Sequence, residues 1–130
     1  MSSEENKAVV RRFIDTFYRR DVAAFREVTG PDLAKVAIEQ WIPTQDATWA
    51  DRELGITKML VEDDWVWAHL TYSGRQIGEF RDLPPMGKTS TGESVAFMRV
   101  SGGKVVEFSG IGDDLARNQQ LGGVVVPGGK

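Results

Sequence analysis

Residues 54–74 read LGITKMLVEDDWVWAHLTYSG, and this stretch decides the fold. β-Branched and aromatic side chains are frequent in residues 56–61 and again in the longer run 65–78, which is typical of β-strands. The acidic run Glu62-Asp63-Asp64 lies between them and favours a turn. We therefore expect the two runs to pair as a long antiparallel hairpin.

The pattern continues toward the C-terminus. Residues 93–100 and 105–110 are two further strand candidates, and Ser101-Gly102-Gly103-Lys104 between them is typical of a tight hairpin turn. Residues 113–121 are expected to form a short helical or extended segment. Residues 122–130 are rich in glycine and are expected to form a partly flexible tail, in which residues 124–126 could make an edge contact.

Helical signals dominate toward the N-terminus. Ser2 and Glu5 have the spacing of a capping box, and an apolar stripe follows at helical spacing, so a helix is predicted over residues 4–19. Asp21 can cap a second short helix over residues 22–28. Residues 33–38 could be helix or strand, and residues 40–51 are interpreted as a loop because they contain Pro43 and several polar side chains.

Helices followed by a meander of strands indicate one α+β domain over residues 1–130. The chain length suits a single core, and the sheet is expected to be mixed but mostly antiparallel. A curved sheet wrapped around the N-terminal helix would enclose a cavity. Organisation alone does not say what that cavity holds.

Composition excludes several kinds of site. The chain has no cysteine, which rules out disulfides and thiolate metal sites, and its single histidine, His69, rules out a His-rich metal site. The net charge of −3 gives no reason to expect nucleic-acid binding. No run approaches the roughly 18 apolar residues of a membrane span, and the polar N-terminus does not resemble a secretory signal, so a cytoplasmic location is expected.

Several segments together resemble a known family. They are Asn6 to Phe13, Trp49-Ala50-Asp51, Gly78-Glu79-Phe80, Leu83 to Lys88, Gly103 to Glu107, and Asp113-Asp114-Leu115 through Gln120-Leu121-Gly122. In this order and spacing they are similar to SnoaL-like polyketide cyclases of the nuclear transport factor 2-like superfamily. The resemblance implies a cone-shaped α+β barrel that pairs as a homodimer through its sheet.

The resemblance also implies an activity, namely cofactor-independent, aldol-type ring closure of a polyketide or aromatic polycyclic substrate. It places the acid/base of the cyclases at Asp113, with Asp114 less favoured. A carboxyl group can both remove an α-proton and protonate the new alkoxide if an apolar pocket stabilises its protonated form. The alternative is that Asp113 or Asp114 caps the C-terminal segment.

His69 is the second catalytic candidate, since it could polarise a carbonyl group or relay a proton. Strand alternation places it on one face with Trp65, Trp67 and Thr71, while Val66, Ala68, Leu70 and Tyr72 share the other. If the tryptophan-bearing face lines the pocket, His69 can act there. If that face points outward, His69 belongs to a dimer surface, and the sequence leaves both possibilities open.

Aromatic side chains are the candidates for substrate binding, because flat apolar walls suit a polycyclic ligand. The candidates are Phe17, Trp41, Trp49, Tyr72, Phe80 and Phe97. Ordinary core packing is the alternative for each of them.

Four other functions remain open at this stage. SnoaL-like relatives include hydroxylation components, and the superfamily includes isomerases and epoxide hydrolases. Where many family members carry histidine, this chain has Val36 and Phe108, which favours such a shift of reaction. A non-catalytic small-molecule-binding module is the remaining alternative.

Overall fold

The computed structural model describes residues 2–123. The helical half consists of α1 (Ser3–Arg19), α2 (Val22–Glu27), α3 (Pro31–Val36), a π-helical segment (Ala37–Trp41) and α4 (Ile42–Thr48). The strands follow as β1 (Trp49–Glu62), β2 (Trp65–Gln76), β3 (Thr89–Ser101) and β4 (Lys104–Gly112), and α5 (Asp114–Gln120) comes last. The predicted α+β class is confirmed.

Helix α1 begins and ends where local chemistry dictates. The Ser2 hydroxyl accepts from the Glu5 N–H at 3.1 Å, and the Glu5 carboxylate accepts from the Ser2 N–H at 3.2 Å. This capping box satisfies backbone donors that have no partner within the helix. The helix ends at Arg20, which adopts a left-handed conformation with φ 60°. The predicted helix over residues 4–19 is confirmed to within one residue.

The sheet has the order β1-β2-β3-β4, and each strand pairs antiparallel with its neighbour in sequence. Both predicted hairpins are present, and their turns use the left-handed conformation at Asp63, Gly102 and Gly103. Within the described residues, parallel pairing is limited to an isolated bridge between Thr29 and Val105. The sheet is therefore almost entirely antiparallel, as expected for a meander.

One face of the sheet packs against the helices and forms the core. Its strands contribute small and apolar side chains such as Ala68, Met98 and Val100, and α1 contributes Val10 and Phe13. Phe25 of α2 lies 5.1 Å from Phe13, measured between ring centres. Alternation along each strand sends every second side chain into this core and the others to the opposite, outer face.

The prediction of a loop over residues 40–51 is wrong. The π-helical segment and α4 occupy residues 37–48, and β1 already begins at Trp49. Pro43 is compatible with this helix because it lies in the first turn, where an N–H has no partner within the helix. Residues 31–36 are helical, which decides the alternative left open for residues 33–38. The C-terminal segment is helical as well.

Two other expectations concern the ends of the chain and membranes. Most of the predicted tail, including residues 124–126, lies outside the described residues. Among the residues that are described, no helix combines the length and apolar content needed to cross a membrane.

Candidate functional site

A cavity of about 240 Å³ lies between the inner face of the sheet and the helices. Its wall is mainly apolar, and it consists of Phe13, Ile14, Phe17, Tyr18, Trp41, Gln45, Leu70, Ser94, Val95, Ala96, Phe108, Gly110, Ile111 and Gly112. The polar side chains in this wall are those of Tyr18, Gln45 and Ser94, together with the indole of Trp41. The cavity therefore suits an apolar ligand that makes a few hydrogen bonds.

The π-helical segment positions one aromatic wall of the cavity. Trp41, its last residue, lies 5.4 Å from Phe108 of β4, and Phe108 lies 6.0 Å from Phe13, measured between ring centres. A π-helical turn shifts the following side chains around the helix axis, and such turns are frequent at functional sites. The sequence prediction that Trp41 contributes to a pocket wall agrees with this position, and so does that for Phe17.

Tyr18 provides a proton-donating group in the cavity wall. Burial raises the pKa of its phenol, while the positive charges of Arg52, Arg117 and Arg20 act in the opposite direction. Because burial dominates, the phenol stays neutral at physiological pH and can donate a hydrogen bond.

A much smaller polar space, of about 30 Å³, lies beside the cavity, and we call it the donor chamber. It is lined by Tyr18, Gln45, Trp49, Arg52, Tyr72, Ser73, Gly74, Ser90 and Arg117. Tyr18 and Gln45 also line the apolar cavity, so the two spaces adjoin at these two side chains.

Trp49, Tyr72 and Phe80 surround Arg117 rather than line the apolar cavity. The guanidinium carbon of Arg117 lies 4.7, 4.1 and 5.4 Å from the centres of these three rings. Such distances are typical of cation–π contacts. These three aromatic side chains therefore form a cage around Arg117, and their predicted substrate-binding role stays a prediction.

Asp113 lies directly after Gly112, a residue of the cavity wall, and its side chain is exposed. Asp113 Oδ1 accepts from the Ala116 N–H at 2.9 Å and caps α5. Its backbone N–H donates to Glu93 O at 3.3 Å, which attaches the start of α5 to β3. The capping role that the sequence left open is therefore present. The acid/base role of Asp113 stays a prediction.

His69 and Phe97 lie on the outer face of the sheet. This position decides the alternative left open for His69 and corrects the prediction that Phe97 lines the pocket. Leu70 and Ala96, their neighbours in sequence, line the cavity, so strand alternation points His69 and Phe97 away from it. His69 contacts the hydroxyl of Thr57 and lies 3.4 Å from a carboxylate oxygen of Glu93. Phe97 packs edge-on against Trp67 at 4.5 Å between ring centres.

The sequence model of the SnoaL-like polyketide cyclases matches residues 6–121, nearly all of the described chain. The chain belongs to this family. No curated protein matches the sequence. The resemblance seen in the sequence is confirmed.

Solved structures of other SnoaL-like and related proteins share the fold. TsrD from Streptomyces laurentii has a TM-score of 0.83 at 19% identity, over 95% of this chain and 99% of its own. AclR from Streptomyces galilaeus, a provisionally assigned hydroxylase, has a TM-score of 0.78 at 22% identity, with coverages of 93% and 98%. IdmH from Streptomyces antibioticus, a provisionally assigned polyketide cyclase, has a TM-score of 0.78 at 20% identity, with coverages of 90% and 98%. At these identities the likeness establishes the fold.

Sequence reasoning missed two residues of this SnoaL-like domain, Arg52 and Arg117. Arg52 lies near the start of β1, one residue after the stretch interpreted as a loop, and Arg117 lies four residues after Asp113 on α5. The residues around Arg52 and Arg117 in the sequence form no pattern that distinguishes these two arginines from solvated surface arginines. Their proximity arises only when β1, β2 and α5 come together.

Proposed function

We propose that this SnoaL-like protein is a cofactor-independent polyketide cyclase, which closes a ring by an intramolecular aldol-type reaction. The apolar cavity of about 240 Å³, within a chain of this family, is the observation that carries the proposal. Apolar walls of this kind can hold a flexible poly-carbonyl chain in a folded conformation. Such positioning supplies much of the rate of an intramolecular reaction.

In the proposed reaction Asp113 removes an acidic α-proton, and the resulting enolate carbon attacks a carbonyl carbon of the same molecule. A carbon–carbon bond forms as the C=O π bond breaks, and the resulting alkoxide oxygen takes up the proton that Asp113 removed. Asp113 follows the wall residue Gly112, so its carboxylate can approach a substrate at the edge of the cavity. In this proposal the neutral phenol of Tyr18, a residue of the cavity wall, donates a hydrogen bond to the carbonyl oxygen as negative charge develops there.

The test compares wild type with Asp113→Asn on an anthraquinone-type polyketide ester, with products identified by mass spectrometry. Asparagine caps helices about as well as aspartate, so this variant keeps the cap and removes the base. We expect a product of unchanged mass from wild type and a rate roughly 10²–10⁴-fold lower from the variant.

Asp114→Asn is the matched control, because Asp114 is the neighbouring carboxylate and forms an ion pair with Arg81. It should retain the wild-type rate. Equal rates for wild type and Asp113→Asn would overturn the role of Asp113.

The composition of the cavity wall is also compatible with two other functions. None of the described residues that line it carries a carboxylate or an imidazole, which suits a hydroxylation component or a binding module as well. A product heavier by one oxygen would support hydroxylation. Saturable binding of the same ester without turnover would support the binding module.

We also propose that the protein is a homodimer that pairs through the outer face of its sheet. Leu60, Trp67 and Phe97 are cross-strand neighbours there, and Trp67 is 49% exposed. An exposed apolar row of this kind marks an interaction surface. Trp67→Glu should convert a dimer to a monomer in analytical ultracentrifugation, whereas a monomeric wild type would refute the proposal.

A further inference from the structure

The donor chamber is lined by three side chains that each carry a buried hydrogen-bond donor left unpaired by the described part of the protein. The donors are Arg52 Nη1, Arg117 Nε and the Tyr72 hydroxyl, and all three atoms are buried. The three side chains belong to β1, α5 and β2, and all of them line the same small space. Buried donors without an acceptor are costly and uncommon in folded proteins, so three around one chamber indicate a common acceptor.

The charge around the chamber favours an anionic acceptor. Arg52 Nη2 contacts Asp46 Oδ1 at 2.7 Å, but the same oxygen also accepts from Arg20, so one carboxylate serves two guanidinium groups. Within residues 2–123, Arg117 forms no ion pair, and its charge is surrounded by aromatic rings. Among residues 2–123, none that lines the chamber carries a carboxylate.

The size and shape of the chamber limit what it can accept. Its volume of about 30 Å³ is close to the share of one molecule in liquid water, so it admits one small oxygen-bearing group and excludes an aromatic ring. Gly92, the cross-strand partner of Tyr72, makes room for the phenol beside the chamber. A Cβ atom at Gly92 would lie 2.5 Å from the Tyr72 oxygen.

We propose that the donor chamber binds a carboxylate, held by Arg52, Arg117 and Tyr72. Guanidinium groups match the geometry of a carboxylate, and charge-assisted hydrogen bonds are stronger than neutral ones. The chamber borders the apolar cavity at Tyr18 and Gln45, so the ligand is an acid with an apolar, aromatic body. The position of that body rests on the proposed function, whereas the carboxylate site does not.

Calorimetric titration with 2-naphthoate and with its neutral isostere 2-naphthamide tests the proposal. We expect wild type to bind the carboxylate about tenfold more tightly than the amide, as a charge-assisted contact predicts. Arg117→Met and Tyr72→Phe should each bring the ratio of the two Kd values toward one. Tyr72→Phe removes only an unpaired hydroxyl, so it keeps the test valid if Arg117→Met fails to fold.

Arg12→Met is the matched control, since it removes the same charge from α1, where Arg12 pairs with Glu27 on the surface. It should leave the Kd ratio unchanged. A ratio near one in wild type would overturn the proposal, and so would a preference for naphthoate that persists in both Arg117→Met and Tyr72→Phe.

A titration with formate separates failure of this site from failure of the apolar cavity. If neither naphthalene probe binds, the cavity does not take aromatic ligands, but formate still fits the chamber. The Arg117 Nε–H resonance, assigned by its loss in Arg117→Met, should then shift with saturation in ¹H–¹⁵N spectra. A resonance that does not move would overturn the proposal.

Discussion

Arg52 Nη2 lies 2.7 Å from Asp46 Oδ1, and this contact joins β1 to α4. The same oxygen lies 2.8 Å from Arg20 Nη2, at the C-terminal end of α1. One carboxylate thus connects three elements at the edge of the donor chamber. The contact with Arg20, followed by that with Arg52, lowers the pKa of Asp46.

Asp46→Asn should therefore destabilise the protein in a pH-dependent way. A lowered pKa in the folded state means that the contribution of Asp46 is present above the unfolded-state pKa of about 3.9 and is lost as the pH falls further. Since Asp46 is half exposed, we expect a loss of under about 1 kcal/mol near pH 7. Urea unfolding of both proteins from pH 7 to pH 3 measures it. A deficit that stays constant with pH would contradict the prediction.

Tyr18 should lose its proton at a higher pH than an ordinary tyrosine. Its pKa is raised by burial above that of an ordinary tyrosine, which is about 10. The associated stability is complete below the unfolded-state pKa of about 10 and falls as the pH rises through the folded-state value. Tyrosinate absorbance during alkaline titration should include a late phase that Tyr18→Phe removes. A late phase that remains in Tyr18→Phe would assign it to another group.

Asp113 should show its structural role when asparagine and alanine are compared. Alanine removes the acceptor for the Ala116 N–H, and loss of an N-cap costs about 1 kcal/mol. Asparagine retains the acceptor, so Asp113→Asn should stay within a few tenths of a kcal/mol of wild type. Hydrogen exchange at the Ala116 amide checks this locally. It should accelerate in Asp113→Ala and remain near wild type in Asp113→Asn.

Two methionines offer a matched test of the core. Met98 is fully buried on the inner face of β3, whereas Met86 is 63% exposed in the loop before that strand. Met98→Ala should cost about 2–5 kcal/mol, because it removes buried apolar contacts and leaves a cavity. Met86→Ala should change stability by less than about 0.5 kcal/mol. Chemical denaturation measures both, and equal losses would refute the assignment of the inner face.

Part of the site could be predicted from single side chains, and part could not. Phe17 and Trp41 were expected to line a pocket, and both do. His69 and Phe97 were candidates for the same pocket, but both lie on the outer face. Alternation separates the two faces of a strand correctly and does not say which face the helices will cover.

The helix over residues 42–48 escaped prediction for a different reason. Pro43 and the polar residues after it are typical of a loop, but Pro43 occupies the first helical turn, where it is tolerated. Short helices have little stability of their own and depend on tertiary packing. Here α4 is fixed between the π-helical segment and β1, and Asp46 ties it to Arg20 and Arg52.

Local sequence determined the features that depend on neighbouring residues. The capping box of Ser2 and Glu5, the cap at Asp21 and the Gly102-Gly103 turn each act within a few residues. The strand pattern and the short turns between strands are also local, and they determined the α+β class. Tertiary structure alone decided which face of β2 became the inner one, because burial is a property of the packed chain. It alone also brought Arg52, Tyr72 and Arg117 together, since these residues come from three elements that meet only after folding.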